Sequence, residues 1–361
     1  MIKTGARVSS IEYDSTPVRV KTAAGAEYTF DLLIGSDGLK SVVRSTLFPD
    51  VKPRAATNNA AYRAVMPYEE LWKKVPESRE FGNTIDVWSV ERGYVITYPI
   101  SAGREWNTVL SHFRDGPVTD MEDDVDMAEV REYFKDVDPR LKKIIDVIPE
   151  TKRWPLLITG PLKSWSSPKK NVVLMGDAAH SMQNHLAQGA ATSMEDGAFL
   201  GRVLIEVVGG VLTMEEAIHI YEKTRMPRAW MKQQTSFAMG AMYMLPAPMD
   251  AHREAASTDS VADSPQQAEL KNLQRTSTKM VTGSDANALS WNLWGSPETV
   301  QSIFGYDAEG DADHAVLMHL AEKAPMDENT GMSEAIERKW VGWFLPEKDV
   351  GRITRAKGSK L

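Results

Sequence analysis

Two short apolar runs, each ending at a glycine-and-aspartate turn, constrain this chain more than any other feature. The first is Asp31-Leu32-Leu33-Ile34-Gly35, followed by Ser36-Asp37-Gly38. The second is Asn171-Val172-Val173-Leu174-Met175-Gly176, followed by Asp177-Ala178-Ala179-His180. A continuous apolar run of this kind reads as a strand buried on both faces of a parallel-type sheet. Such a strand delivers the residues after it to the carboxyl edge of the sheet, where ligands of α/β folds collect. An ionised aspartate there accepts hydrogen bonds only, which suits sugar-like hydroxyls. Gln188-Gly189-Ala190-Ala191 follows, then Glu195-Asp196, at the expected start of a long helix. Gly189 and the two alanines let a ligand approach the backbone closely. The unpaired amides and the dipole of a helix start favour negative charge.

Other elements are readable around these junctions. Ala6 to Tyr13, Val18 to Lys21 and Tyr28-Thr29-Phe30 read as strands, with a turn at Ala23-Ala24-Gly25. Leu39 to Leu47 reads as a short helix carrying Arg44. Thr84 to Val90, Gly93 to Pro99 and Thr108 to Phe113 read as an antiparallel meander, with helices near Asp124 to Lys135 and Pro139 to Ile148. Thr213 with Glu216 makes a capping-box pattern, and the helix it opens is expected to be interrupted at Pro227. Pro246 to Gln267 reads as a surface loop or linker. The remainder is helical in flavour, with packing Trp pairs at Trp291 with Trp294 and Trp340 with Trp343.

Composition narrows the function classes. The chain has 361 residues, a formal charge of −8 and no cysteine. Disulfides, thiolate metal sites and a cysteine nucleophile are excluded, and no metal set is read. A net acidic chain is a poor partner for nucleic acid. No apolar stretch approaches a bilayer span, so no transmembrane segment is expected. The start, Met1 to Ala6, has no apolar run after Lys3, so no secretory leader is expected. Ser359, Lys360 and Leu361 form the peroxisomal address, with Arg355 and Lys357 upstream. In a eukaryotic source they are expected to meet the peroxisomal import receptor; otherwise the expectation is cytoplasmic.

Both junctions in this order, with a β-rich insert between them, resemble the aromatic-hydroxylase group of flavoprotein monooxygenases, in its salicylate-hydroxylase-like branch. Tyr62-Arg63, Tyr98-Pro99, Trp165 and the Tyr221 to Arg228 segment reinforce the likeness. The resemblance implies an α/β (mixed α+β) fold: an incomplete doubly wound FAD-binding domain, an inserted antiparallel β-sheet substrate domain and a helical C-terminal region. The expected divisions are residues 1–55 and 161–240 for the FAD-binding region, 56–160 for the substrate domain and 241–361 for the C-terminal region. It implies FAD as cofactor, NAD(P)H as co-substrate, and O2 with a small aromatic compound as substrates. A flavin C4a-hydroperoxide would hydroxylate an electron-rich ring carbon. By the same resemblance, Asp37 and Gly38 sit near the FAD phosphates and the nicotinamide donor's path. Gly176 and Asp177 hold the ribityl chain, and the amides from Gln188 through Gly189 and Ala190 to Ala191 face the pyrimidine edge. Arg44 either contacts the nicotinamide donor or caps its short helix.

Two departures stand out. Asn184 and His185 occupy positions where the family usually has proline and then an aromatic or hydrophobic residue. His185 is a candidate base for ionising a phenol, beside the plainer reading of an exposed loop histidine. The catalytic residue is otherwise unassigned, and His180 reads as a structural histidine satisfied by backbone. The second departure is the lack of a Gly-x-Gly-x-x-Gly turn near the start. It implies that roughly a hundred family residues are absent, including the opening βαβ unit. The alternative functions are therefore an inactive remnant or ligand-binding protein of the same family, or an oxidase or dehydrogenase on the same fold. The Asp31 to Gly35 strand would then show an apolar edge.

Overall fold

The computed structural model describes residues 2–90, 93–243 and 297–323. The expected linker at 246–267, both Trp pairs and Ser359 to Leu361 lie outside the described residues. The two apolar runs do pair. β4 (Leu33–Gly35) and β10 (Val172–Leu174) form a two-stranded parallel sheet, with Leu33 opposite Val172 and Gly35 opposite Leu174. The Met175 amide continues the ladder to the Gly35 carbonyl at 3.0 Å. Both carboxyl ends therefore emerge side by side.

β10 is wholly buried, as its Val-Val-Leu sequence predicts. β4 differs from the expectation of burial on both faces, because Ile34 is 38% exposed. No strand among the described residues pairs with the second edge of β4. Beside this sheet, β1 (Val8–Glu12), β2 (Val18–Thr22) and β3 (Glu27–Phe30) form the expected antiparallel hairpins. Val18 and Val20 point into the same core as β10.

The insert is a five-stranded antiparallel sheet in the order β6-β7-β8-β5-β9. β6 (Asp86–Val90), β7 (Gly93–Ile100) and β8 (Glu105–Phe113) are the meander read from the sequence. β5 (Arg54–Pro67) runs beside β8 for its whole second half. β9 (Lys152–Ile158) escaped the sequence reading because Pro155 interrupts it. It is an edge strand, where a missing N–H is tolerated. One face of the sheet buries Tyr62, Val95, Trp106 and Leu110 under α2 (Tyr68–Lys74), α3 (Met127–Tyr133) and α4 (Pro139–Asp146). Asp126 and Asp138 cap the last two helices by accepting from the Ala128 and Arg140 amides.

α1 (Val42–Leu47) follows β4, and α5 (Asp177–His180) follows β10. α6 (Gly189–Val208) starts where the sequence placed it and packs along α7 (Met214–Tyr243). The Thr213–Glu216 capping box forms in both directions, at 2.7 and 3.2 Å. The expected break at Pro227 does not occur, and α7 runs through it. Pro227 removes only the bond to the Lys223 carbonyl, and Lys223 is solvent-exposed. Arg225 before the proline and Arg228 and Lys232 after it all pair with α6 carboxylates, which keeps the two segments in line. α8 (Pro297–Phe304) and α9 (Ala308–Lys323) complete this layer.

Candidate functional site

The Asp-Gly junction is built as a cap. Asp37 Oδ1 accepts from the Ser41 hydroxyl at 2.5 Å, and Oδ2 accepts from the Val42 and Val43 amides at 2.7 and 3.2 Å. These bonds anchor the start of α1. Gly38 has φ +76, and its carbonyl accepts from the Ser41 amide at 3.0 Å. Arg44 is 1% exposed and donates to the Ala178 carbonyl at 2.9 Å and the Leu39 carbonyl at 2.6 Å. Both carbonyls lie outside α1, so the guanidinium does not cap the end of its own helix. Burial directs its donors to backbone, and it braces one junction against the other.

The Gly-Asp junction differs. Gly176 has φ +62, and a β-carbon there would meet Ser193 Oγ on α6 at 2.7 Å. Only glycine lets the turn press this closely on the helix. The Asp177 side chain is exposed, and its carboxylate has no protein hydrogen-bond partner among the described residues. A β-carbon on Gly189 would lie 3.9 Å from Asp177 Oδ1 and 4.0 Å from Met182 Cγ. The free carboxylate therefore stands beside the first turn of α6. The first hydrogen-bonded amide of α6 is Thr192, which donates to the Gln188 carbonyl at 2.9 Å. The amides of Gly189, Ala190 and Ala191 precede it and are the unpaired donors of a helix start. A free acceptor and a set of free donors, separated by glycine and alanine, fit the polyol and ring half of a flavin. The exposed acceptor suits ribityl hydroxyls, and the amides suit an electron-rich ring edge.

The two histidines of this loop are both buried. His180 Nε2 pairs with Asp196 Oδ2 at 2.6 Å, so a carboxylate satisfies it rather than the expected backbone. His185 is 3% exposed, which overturns the reading of an exposed loop histidine. Its Nδ1 meets the Tyr94 hydroxyl at 2.7 Å, and burial pushes its pKa down to about 4. The ring presses on α7 so closely that a β-carbon on Gly240 would sit 2.2 Å from His185 Cδ2. The Tyr94 bond ties the loop before α6 to the inserted sheet, and the Gly240 contact ties it to α7.

Sequence reasoning missed the charge cluster behind the site. Glu195 accepts from Arg225, Arg228 and Lys232 at 2.8, 2.8 and 2.6 Å. Burial would raise the Glu195 carboxyl, but these three cations hold it down at about 2. Arg225, Arg228 and Lys232 share one face of α7 at i, i+3 and i+7, a spacing that was present in the sequence. Beside the loop, Arg54, Met182, Gln183, Trp230 and Phe237 line a cleft of about 170 Å³. Met182 is common to this cleft and to the Asp177–Gly189 junction.

The family model described as "FAD binding domain" matches residues 1–236. A 3-hydroxybenzoate 6-hydroxylase of Klebsiella oxytoca is 31% identical over 242 residues, covering 67% of this chain and 58% of the relative. A 6-hydroxynicotinate 3-monooxygenase of Pseudomonas fluorescens is 33% identical over 237 residues, covering 64% of this chain and 58% of the relative. The chain thus spans less than two thirds of the length of these curated relatives. Among solved structures, a salicylate hydroxylase substrate complex superposes with a TM-score of 0.63 at 22% identity, over 86% of this chain and 70% of that one. Klebsiella pneumoniae HpxO complexed with FAD and uric acid gives 0.56 at 23%, over 76% of this chain and 65% of that one. Those two likenesses bear on the fold, which is the mixed α/β architecture expected from the sequence. The extent of the family match decides the membership: this chain belongs to the FAD-binding-domain family of the FAD-dependent aromatic hydroxylases.

Proposed function

We propose that this chain carries the flavin-ring and substrate half of an FAD- and NAD(P)H-dependent monooxygenase that hydroxylates a small aromatic or related compound. The carrying observation is the free Asp177 carboxylate beside the unpaired first turn of α6. The chemistry expected with FAD bound is reduction by NAD(P)H, activation of O2 and transfer of one oxygen atom to the ring. Asp177 would accept hydrogen bonds from ribityl hydroxyls. The Gly189 to Ala191 amides would take the ring edge on which charge develops. Asp37, Gly38 and Arg44 would act indirectly, by holding the turn that faces Gly176.

The substrate class follows from the cleft and from the relatives. A cleft of about 170 Å³ is well below the ~300–1,000 Å³ of drug-sized pockets, and suits a single ring. Arg54, with Trp230 and Phe237, supplies a cation and flat apolar walls. A hydroxylated aromatic acid, like the substrates named for the relatives, matches that chemistry. His185 is a weak base for this reaction. With a pKa of about 4 it holds little affinity for a proton at neutral pH, and it is buried at 3% exposure. The test is NADH or NADPH oxidation with 3-hydroxybenzoate under labelled O2. One labelled oxygen in the product supports the reading; oxygen consumption without incorporation points to an oxidase.

One observation favours a second reading, a ligand-binding protein of the same family without turnover. The side chains of Asp37 and Arg44 are engaged in internal bonds, which leaves the first junction with less side-chain capacity for a cofactor than the second. That reading expects aromatic-ligand binding with no NAD(P)H oxidation.

A further inference from the structure

One buried chain of ionic contacts touches both loops that meet at the Asp177–Gly189 gap. On the first side, Asp196 Oδ2 accepts from the Gly176 amide at 3.1 Å. Asp196 Oδ1 accepts from Arg225 Nε at 2.9 Å, and Arg225 passes to Glu195 at 2.8 Å. Glu195 accepts from Lys232 Nζ at 2.6 Å. On the second side, the same Nζ donates to Gln188 Oε1 at 3.0 Å. Gln188 is the residue that heads α6. The Arg225, Lys232 and Asp196 side chains are all 0% exposed, so water does not substitute for any of these links.

Lys232 is surplus to the charge balance of this cluster. Glu195 already meets Arg228 through both carboxylate oxygens, at 2.8 and 2.9 Å, and Asp196 already meets Arg225. The charged and titratable groups facing Lys232 are Glu195 and Asp196 from α6, Arg225 and Arg228 from α7, His180 from α5, and Tyr306 under the two guanidiniums. Within the ion cluster, two carboxylates against two guanidiniums and one ammonium leave one positive charge in excess; the Asp177 carboxylate lies outside it at the Gly189 gap, and Asp311 lies beyond Tyr306, whose hydroxyl donates to it. A surplus buried cation is unfavourable unless an anion offsets it. This one is a single hydrogen bond from the positive end of the α6 dipole, where unpaired amides already favour an anion.

We propose that Lys232 is a positioning residue for the first turn of α6, holding Gln188 in place, and that its charge makes the Gly189 site prefer a reduced, anionic flavin ring over the oxidised one. The second half rests on the flavin reading given above; the first half does not. Burial pushes Lys232 down to about 8, against the pull of Glu195. The surplus charge is therefore present at pH 7 and gone by about pH 9.5. An anion arriving at Gly189 raises the lysine's proton affinity by the same factor that the proton raises the anion's affinity.

The test has two arms on the full chain. In the first, hydrogen exchange is followed without flavin in the wild type, Lys232→Met and Gln188→Leu. The Gln188→Leu variant cuts the same link from the other side and leaves the ion cluster complete. The Thr192 to Glu195 amides are expected to exchange about tenfold faster in both variants, with Val172 to Leu174 unchanged. Unaltered exchange in α6 overturns the positioning role. In the second arm, binding of oxidised and of dithionite-reduced FAD is compared anaerobically at pH 7 and pH 9.5. The wild type is expected to lose about tenfold of its preference for reduced FAD at the higher pH, relative to Lys232→Met. Equal ratios in the two proteins overturn the charge role. Faster α6 exchange in a protein that binds neither form of FAD supports the positioning role and overturns the flavin reading.

Discussion

The Tyr94 hydroxyl and His185 Nδ1 meet at 2.7 Å, joining the inserted sheet to the loop that leads into α6. Both side chains are buried, and burial raises the Tyr94 phenol as it lowers the His185 imidazole. His185 is therefore neutral when folded and binds a proton more tightly when unfolded. Its contribution to stability is present above about pH 6.5 and lost as pH falls toward 4. The expected loss is on the order of 3 kcal/mol. Urea denaturation from pH 7 to pH 4 checks it, and a His185→Gln variant should lack that limb. A His185→Ala variant strands the Tyr94 hydroxyl and leaves a cavity, costing about 2–4 kcal/mol at pH 7.

Glu195 governs a second acidic limb. Its carboxyl is held at about 2 by Arg228, Lys232 and Arg225 against the opposing effect of burial. A depressed carboxyl contributes stability above its ordinary range near 4.5, and that contribution disappears as pH falls toward 2. Glu195→Gln leaves three cations facing Asp196 alone and should cost about 3–5 kcal/mol at pH 7. Equilibrium denaturation measures it; a loss below about 1 kcal/mol would show that the cations relax into solvent.

Lys232 acts at the alkaline end. Its folded pKa of about 8 lies below the unfolded value near 10.5, so the unfolded chain binds more protons between them. Stability should rise with pH across that window by on the order of 2 kcal/mol, relative to Lys232→Met. Thermal melts of the two proteins at pH 7.5 and pH 10 read this difference directly.

Gly176 tests the close approach of the turn to α6. Alanine there takes on an unfavourable φ of +62 and places its β-carbon 2.7 Å from Ser193 Oγ. The expected cost of Gly176→Ala is about 2–4 kcal/mol in denaturation. Adding Ser193→Ala should recover part of it, since the nearest remaining contact is then 3.1 Å. No recovery would assign the whole cost to the backbone.

Much of this arrangement was legible locally. The two strand-to-turn junctions announce themselves through continuous apolar runs and Gly-Asp neighbours, and the cap at Thr213 follows from its spacing to Glu216. What escaped depends on pairing across distance. Lys232 reaches Gln188 across 44 positions and Tyr94 reaches His185 across 91, and no local period encodes either contact. Asp37 shows the converse difficulty. Asp-Gly reads first as a plain turn, and the cap that Asp37 makes to Ser41, Val42 and Val43 is seen only in its three bonds. Pro227 and Pro155 misled for one reason: a missing N–H matters little where ion pairs hold the helix in line or the strand lies at an edge.

The most direct measurement of the central claim is a flavin titration of the full chain and of Asp177→Ala, followed by quenching of flavin fluorescence with FAD. The Asp177 side chain is exposed and makes no protein hydrogen bond among the described residues, so the variant should melt within about 2 °C of the wild type. The wild type should quench saturably and the variant should bind with at least a tenfold weaker Kd, the loss of one charge-assisted hydrogen-bond set of about 1.5–3 kcal/mol. Equal affinity in the two folded proteins, or no quenching by the wild type, would contradict it.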